Sequence, residues 1–202
     1  MKRYDFLKAV ADQFADQLVV VSIGRGVQSE WNSLRPSGGN FFMNCMGLAS
    51  SVGLGFALAL PSRKVVIFQG DGDLLMNLGS LATEVATNPP NLVHVVFDNG
   101  CYEACGGGDT ATALGADLAG AAKGIGIKNS FTVTEPEDFR KHIIQALPGN
   151  ELYFIVAKTE VGSADLPMLP LDGIENKHQF AKYIEETEQI SARQGLPSRR
   201  KV

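Results

Sequence analysis

Two apolar runs, each ending on a short acidic and amide-bearing turn, constrain this chain most. Val65-Val66-Ile67-Phe68 runs into Gln69-Gly70-Asp71-Gly72-Asp73, and Leu92-Val93-His94-Val95-Val96-Phe97 runs into Asp98-Asn99-Gly100. Short, continuously apolar runs bounded by turn residues suit strands buried on both faces. Laid side by side and parallel, they would bring Asp71 and Asn99 to one sheet edge, the edge where open α/β proteins bind ligands. A carboxylate, an amide oxygen and a nearby backbone carbonyl form a hard-oxygen set. Such a set suits Mg²⁺, which leaves its remaining positions to water and substrate phosphates.

The rest of the chain alternates in the same way. The pattern predicts helices over 4–15, 47–60, 78–87, 114–123 and 136–147, with a short helix through Trp31. Strands are expected over 18–23, 65–68, 92–98, 130–133 and 153–158, and the glycine-rich stretch 100–112 reads as a loop. Alternation of this kind defines an α/β fold, a parallel sheet with helices on both faces. Residues 1–160 would form the domain. Residues 161–202 read as a C-terminal arm: a Pro- and Gly-containing extension over 162–173, then a polar helix over 176–190. Phe180, Tyr183 and Ile184 would pack either on their own domain or on a second subunit.

Length and charge narrow the function classes. With 202 residues there is room for one full α/β core, and a formal charge of −4 leaves no basic stripe before Arg199-Arg200-Lys201. Nucleic-acid binding, which depends on clustered Lys and Arg, is therefore not expected. Residues 41–60 carry no formal charge over a membrane-spanning length, but Asn44, Ser50, Ser51 and three glycines interrupt them, so a buried soluble helix is expected. Cys45, Cys101 and Cys105 show no C-x-x-C spacing, which speaks for a reducing compartment and against a zinc or iron–sulfur site. With no signal-peptide pattern at the start, the expected location is cytoplasmic. His94, His142 and His178 are read as structural or solvated.

Gly70-Asp71-Gly72, then Asn99 28 positions after Asp71, then Gly100-Cys101-Tyr102, resembles the signature of thiamine diphosphate enzymes. The segments 46–55 and 75–82, together with Tyr102-Glu103 and Asp172-Gly173-Ile174-Glu175-Asn176-Lys177, are similar to the sulfopyruvate and phosphonopyruvate decarboxylase group. In extent it resembles the β subunits of that group, which contain only the diphosphate-binding half. The resemblance implies thiamine diphosphate and Mg²⁺ as cofactors, with Asp71, the Asn99 side chain and the Cys101 carbonyl as metal ligands. It further implies that Gly70, Gly72, Asp73 and Tyr102 belong to the cofactor site. The Asn44 carbonyl and the Met46 N–H would contact the aminopyrimidine, and Met46 would be the wedge that bends the cofactor. The competing role for Met46 is a core methionine.

The same resemblance implies a small anionic 2-oxo acid as substrate and an activating glutamate on a separate pyrimidine-binding α subunit, hence a hetero-oligomer. No catalytic residue is assigned within this chain. A carboligase or lyase half using the same chemistry, and a non-catalytic cofactor-binding subunit, stay open. Two departures stand out. The family's Asn-Asn is Asp98-Asn99 here, and its usual Ser after Gly-Asp-Gly is Asp73. Asp73 would either cap the following helix and face solvent or point inward beside the diphosphate. The loop histidine of the relatives is absent from Gly106-Gly107-Gly108-Asp109-Thr110-Ala111-Thr112.

Overall fold

Six parallel strands form the centre of the structure, a computed structural model that describes residues 1–24, 26–170 and 172–189. Their order is β2-β1-β3-β4-β8-β7, from β1 (Leu18–Val21), β2 (Asn40–Phe42), β3 (Val65–Gly70), β4 (Leu92–Asp98), β7 (Asn129–Val133) and β8 (Tyr153–Lys158). β3 and β4 pair in register from Val65↔Leu92 to Gly70↔Phe97, so the two turns that end them emerge together. β1, β3, β4 and β8 are buried almost throughout because helices cover both faces.

Alternation of side chains splits the core in two. Val19, Val21, Val66, Phe68, Val93, Val95 and Phe97 face α1 (Arg3–Val10), α2 (Val27–Leu34) and α7 (Pro136–Ala146). Leu18, Val20, Val65, Ile67, Leu92 and Val96 face α3 (Ala49–Ala59), α4 (Asp71–Leu75), α5 (Ser80–Thr87), α6 (Leu118–Ile125) and α8 (Gly173–Glu188). On the first face, Trp31 meets Phe14 and Phe68 edge-to-face, with ring centroids 4.8 Å apart in both pairs.

The chain leaves β1 toward β2 on one side, then returns to β3 on the other and continues to β4. A topological switch point therefore lies at the carboxyl ends of β1 and β3, where open α/β sheets form their binding crevice.

Several boundaries differ from the sequence expectation for local reasons. The edge strand β2 is not among the expected strands, since three residues are too few to show alternation. Helix α6 starts at Leu118 instead of 114, because Asp117 caps it by accepting from the Gly120 N–H at 2.9 Å. The expected loop over 100–112 is a small hairpin, with β5 (Cys101–Tyr102) antiparallel to β6 (Gly108–Asp109) around a 3₁₀ turn. The uncharged stretch 41–60 divides into the end of β2, a turn and α3, and no helix among the described residues is long and apolar enough to cross a membrane.

Helix α8 packs on its own domain. Phe180 is buried against Phe41 and Phe56, with centroids 5.1 and 4.9 Å away, and Tyr183 and Ile184 join the same cluster. Asn176 completes the β2 edge: its amide oxygen accepts from the Phe42 N–H at 2.9 Å and its amide nitrogen donates to the Asn40 carbonyl at 3.1 Å. The edge is thus covered. Ile190 and the basic tail Arg199-Arg200-Lys201 lie outside the described residues, as do Arg25 and Leu171.

Candidate cofactor site

The carboxyl ends of β1, β3 and β4 open into a cavity of about 390 Å³. Asn44, Met46, Gly70, Asp71, Gly72, Asp73, Asn99, Cys101 and Tyr102, the nine residues singled out in the sequence, all line it. They come from three separate segments, 44–46, 70–73 and 99–102, and only the parallel register brings them together.

Asp71 opens α4 and is 2 % exposed. Its Oδ2 accepts from Thr110 Oγ1 at 2.5 Å and from Thr112 Oγ1 at 2.9 Å. Burial pushes the Asp71 carboxyl above its usual range; the two threonine hydroxyls pull it back, and the neighbouring Asp98 charge adds to the rise. Thr112 Oγ1 also lies 2.7 Å from Asp98 Oδ1, sharing its one proton between the two carboxyl groups, and Lys158 pairs with the other Asp98 oxygen. At the position where the family resemblance leads one to expect a first asparagine, this chain therefore has a carboxylate paired with a lysine from β8. Asn99 folds into an Asx turn, its Oδ1 accepting from the Cys101 N–H at 3.0 Å while its Nδ2 donates to Glu103 at 3.1 Å.

Tyr102 from the hairpin packs against Gly72. A Cβ at position 72 would sit 2.4 Å from the tyrosine ring, so no side chain fits between the hairpin and the start of α4. Gly72 also borders the cavity, and with no side chain it presents only backbone there, which suits an approaching phosphate.

Asp73 is also 2 % exposed, and the solvent-facing cap is ruled out. Its Oδ2 accepts from Ser22 Oγ at 2.6 Å, just beyond β1, and its Oδ1 accepts from the Gly47 N–H. Burial raises its pKa, against the donors Ser22, Gly47 and Gln69. Gly47, at φ 80°, makes the turn that a side chain would strain. Met46, immediately before it, is half-buried on the cavity wall and stands outside both core clusters, so it is not a core methionine. Asn44 is exposed, its amide packed against Gly173 at the start of α8.

All three cysteines reach this cavity, which their spacing does not reveal. Cys105 Sγ lies 4.0 Å from Met46 Sδ. Desolvation, with the carboxylates of Glu103, Asp109 and Asp71, raises the Cys101 pKa. None of the histidines lines the cavity: His94 is fully buried, His142 stacks on Phe131 at 4.1 Å and His178 is exposed. Thr110, Thr112, Ser22 and Arg3 were missed by motif reading. Arg3 is the one cationic side chain lining the cavity among the described residues, held by a 2.7 Å ion pair with the buried Glu30. Paired hydroxyls two residues apart in a glycine-rich loop were the available signal for the threonines.

A parallel sheet whose switch point opens into a cavity is the architecture of a ligand-binding α/β domain, and comparison with known proteins places it among the thiamine pyrophosphate enzymes. The chain belongs to that family, matching the thiamine pyrophosphate enzyme C-terminal TPP binding domain over residues 28–157. It is similar to sulfopyruvate decarboxylase subunit beta of Methanocaldococcus jannaschii, 34% identical over 188 residues that cover 92% of this chain and 98% of that protein. The same-named subunit of Methanothermobacter thermautotrophicus is 35% identical, over 91% of this chain and 96% of that one. Phosphonopyruvate decarboxylase of Streptomyces viridochromogenes is 36% identical over 78% of this chain, but that span is 39% of its own length.

Among solved structures, benzoylformate decarboxylase from Polynucleobacter necessarius superposes with a TM-score of 0.66 at 18% identity, over 84% of this chain and 34% of that one. The 4-hydroxybenzoylformate decarboxylase of Rhodococcus jostii gives a TM-score of 0.69 at 21% identity, over 81% and 33%. The chain spans about a third of these solved proteins, and at such identities the likeness concerns the fold.

Proposed function

We propose that this chain is the diphosphate-binding subunit of a thiamine diphosphate-dependent decarboxylase acting on a small anionic 2-oxo acid of the sulfopyruvate or phosphonopyruvate type. One observation carries the reading: Asp71, Asn99 and Cys101 line one cavity with the bare backbone at Gly72. The Asp71 carboxylate, the Asn99 amide oxygen and the Cys101 carbonyl fit Mg²⁺ by their chemistry, a hard cation bound by oxygen and usually shared with phosphate. Gly70, Gly72 and Asp73 would frame the diphosphate, with the Asn44 carbonyl and the Met46 N–H on the aminopyrimidine. When bound, thiamine diphosphate supplies a nucleophilic carbon and a cationic ring that takes up the electron pair released with CO₂.

This chain's own residues bind and orient. Met46, on the cavity wall, would press on the cofactor, Tyr102 closes the floor over Gly72, and Arg3, ion-paired with Glu30, lines the same cavity. The glutamate that activates the ring belongs, on this reading, to a pyrimidine-binding partner, so the enzyme is a hetero-oligomer with its site at the junction. The three free thiols suit a reducing, cytoplasmic setting.

The test is reconstitution. The purified chain with Mg²⁺ and thiamine diphosphate should release no CO₂ from sulfopyruvate, and adding a pyrimidine-domain partner should restore turnover. Turnover by the chain alone, with mass spectrometry excluding a co-purified partner, would overturn the two-subunit reading. Cofactor binding without turnover in the assembled complex would favour a non-catalytic subunit.

A further inference from the structure

Glu103 lines the cavity but holds no place among the residues assigned to the cofactor above. It follows Tyr102 directly and opens the 3₁₀ turn Glu103–Cys105 of the hairpin, whose strands pair Cys101 with Asp109 and Tyr102 with Gly108. Its Oε2 accepts from Asn99 Nδ2 at 3.1 Å, while Asn99 Oδ1 accepts from the Cys101 N–H at 3.0 Å. These two bonds fix which way the Asn99 carboxamide faces. In the reverse orientation the amide nitrogen would meet the Cys101 N–H, donor against donor, and the amide oxygen would meet the Glu103 carboxylate, acceptor against acceptor. Both partners select the same orientation.

We propose that Glu103 is a positioning residue for Asn99: by holding the amide nitrogen, it keeps that nitrogen from exchanging places with Oδ1, the oxygen of the proposed Mg²⁺ set. The two ends of a carboxamide are nearly alike in shape, so packing alone does not tell them apart, yet a hard cation is bound by the oxygen only. The Cys101 N–H occupies one lone pair of Oδ1 and leaves the second for a cation. Glu103 takes the other end of the amide with a charge-assisted hydrogen bond, the stronger kind. The segment that carries Glu103 is itself secured, since Tyr102 packs against Gly72 and Thr110, just past the hairpin, donates to Asp71. Both side chains of the proposed metal set are thus oriented from this one segment, Asp71 by Thr110 and Asn99 by Glu103. The role of Asn99 toward Mg²⁺ rests on the thiamine diphosphate reading; the orientation of its carboxamide does not.

The test compares Glu103→Leu with Glu103→Gln in the full chain. Glutamine keeps an acceptor for Asn99 Nδ2 and drops the charge, whereas leucine removes both. Without cofactor, the side-chain amide proton resonances of Asn99 should move upfield in Glu103→Leu and much less in Glu103→Gln. Mg²⁺-dependent affinity for thiamine diphosphate should fall about tenfold in Glu103→Leu, the scale of one hydrogen bond to a charged acceptor. In Glu103→Gln the loss should stay near ~threefold, because a neutral acceptor keeps about half of that bond's strength. Equal losses in the two variants would assign Glu103 to simple charge attraction or to the metal itself and overturn the proposal. An Asn99 signal that Glu103→Leu leaves unmoved would overturn it as well. If Glu103→Leu fails to fold, Glu103→Ala carries the same comparison. Failure of the unaltered chain to bind Mg²⁺ and thiamine diphosphate would count against the cofactor reading, and the Asn99 signal would still decide the positioning.

Discussion

Thr110 and Asp71 lie 39 positions apart in the chain, and the threonine hydroxyl donates to the Asp71 carboxylate at 2.5 Å. The contact fastens the far end of the hairpin to the turn after β3, so the hairpin residues Cys101 and Tyr102 reach the cavity already positioned. Thr112 repeats the contact at 2.9 Å. Preorganisation of this kind would keep the Asp71 carboxylate, a member of the proposed metal set, in place before any cation arrives.

Asp71→Ala removes the one carboxylate of the proposed metal set and should abolish Mg²⁺-dependent binding of thiamine diphosphate. Asn99→Ala should weaken it less, since an amide oxygen carries no net charge. Isothermal titration with and without Mg²⁺ checks both, and normal affinity in Asp71→Ala would dismiss the metal assignment.

The raised pKa of Asp71 has a definite sign in stability. Between the ordinary carboxylate range and the raised folded value, the native chain keeps a proton that the unfolded chain has lost. Stability of the cofactor-free protein therefore falls as pH rises through that window and levels off above it. Asp71→Asn should flatten this part of the profile, measured by thermal melts from mildly acidic to neutral pH. Mg²⁺ binding should release a proton in the same window, seen as a dependence of binding heat on buffer ionisation.

Asp73→Ser restores the residue usual in the family but removes the acceptor of the Gly47 N–H. With that group left buried and unpaired, we expect a loss of about 1–3 kcal/mol, read by urea denaturation of the cofactor-free chain. Cofactor affinity should not improve. A tighter dissociation constant would mean that the Asp73 carboxylate repels the diphosphate.

Met46→Ala should leave the fold intact, because Met46 sits on the cavity wall outside the core clusters. In the reconstituted enzyme it should lower kcat more than it weakens cofactor binding, and Met46→Leu should recover much of the loss. An equal fall in affinity and turnover would assign Met46 to binding alone.

Phe180→Ala empties the ring cluster between α8, β2 and α3, and should cost about 3–5 kcal/mol. Ending the chain after residue 160 should destabilise it further by stripping Asn176 from the β2 edge. A truncated chain with an unchanged melting temperature would show that the C-terminal segment is a dispensable arm.

Reading outward from single residues, the apolar runs over 65–68 and 92–97 were enough to identify buried parallel strands, since only strands covered on both faces tolerate such runs. Their closing turns marked Asp71 and Asn99 as candidates for one sheet edge, and the register of β3 and β4 brings both to one cavity. These are local signals, carried by neighbours in the chain. Asp73 was ambiguous for the opposite reason: its partners, Ser22 and the Gly47 N–H, lie 51 and 26 positions away, and no pattern of spacing announces them. The same holds for Thr110 and Thr112 beneath Asp71, for Arg3 at the cavity wall, and for α8 on its own sheet edge. The sequence by itself determined the class of fold and the chemistry gathered at one end of it. Tertiary structure alone decided which groups neutralise that chemistry and hold it, because hydrogen bonds between distant segments exist only once the sheet has set their register.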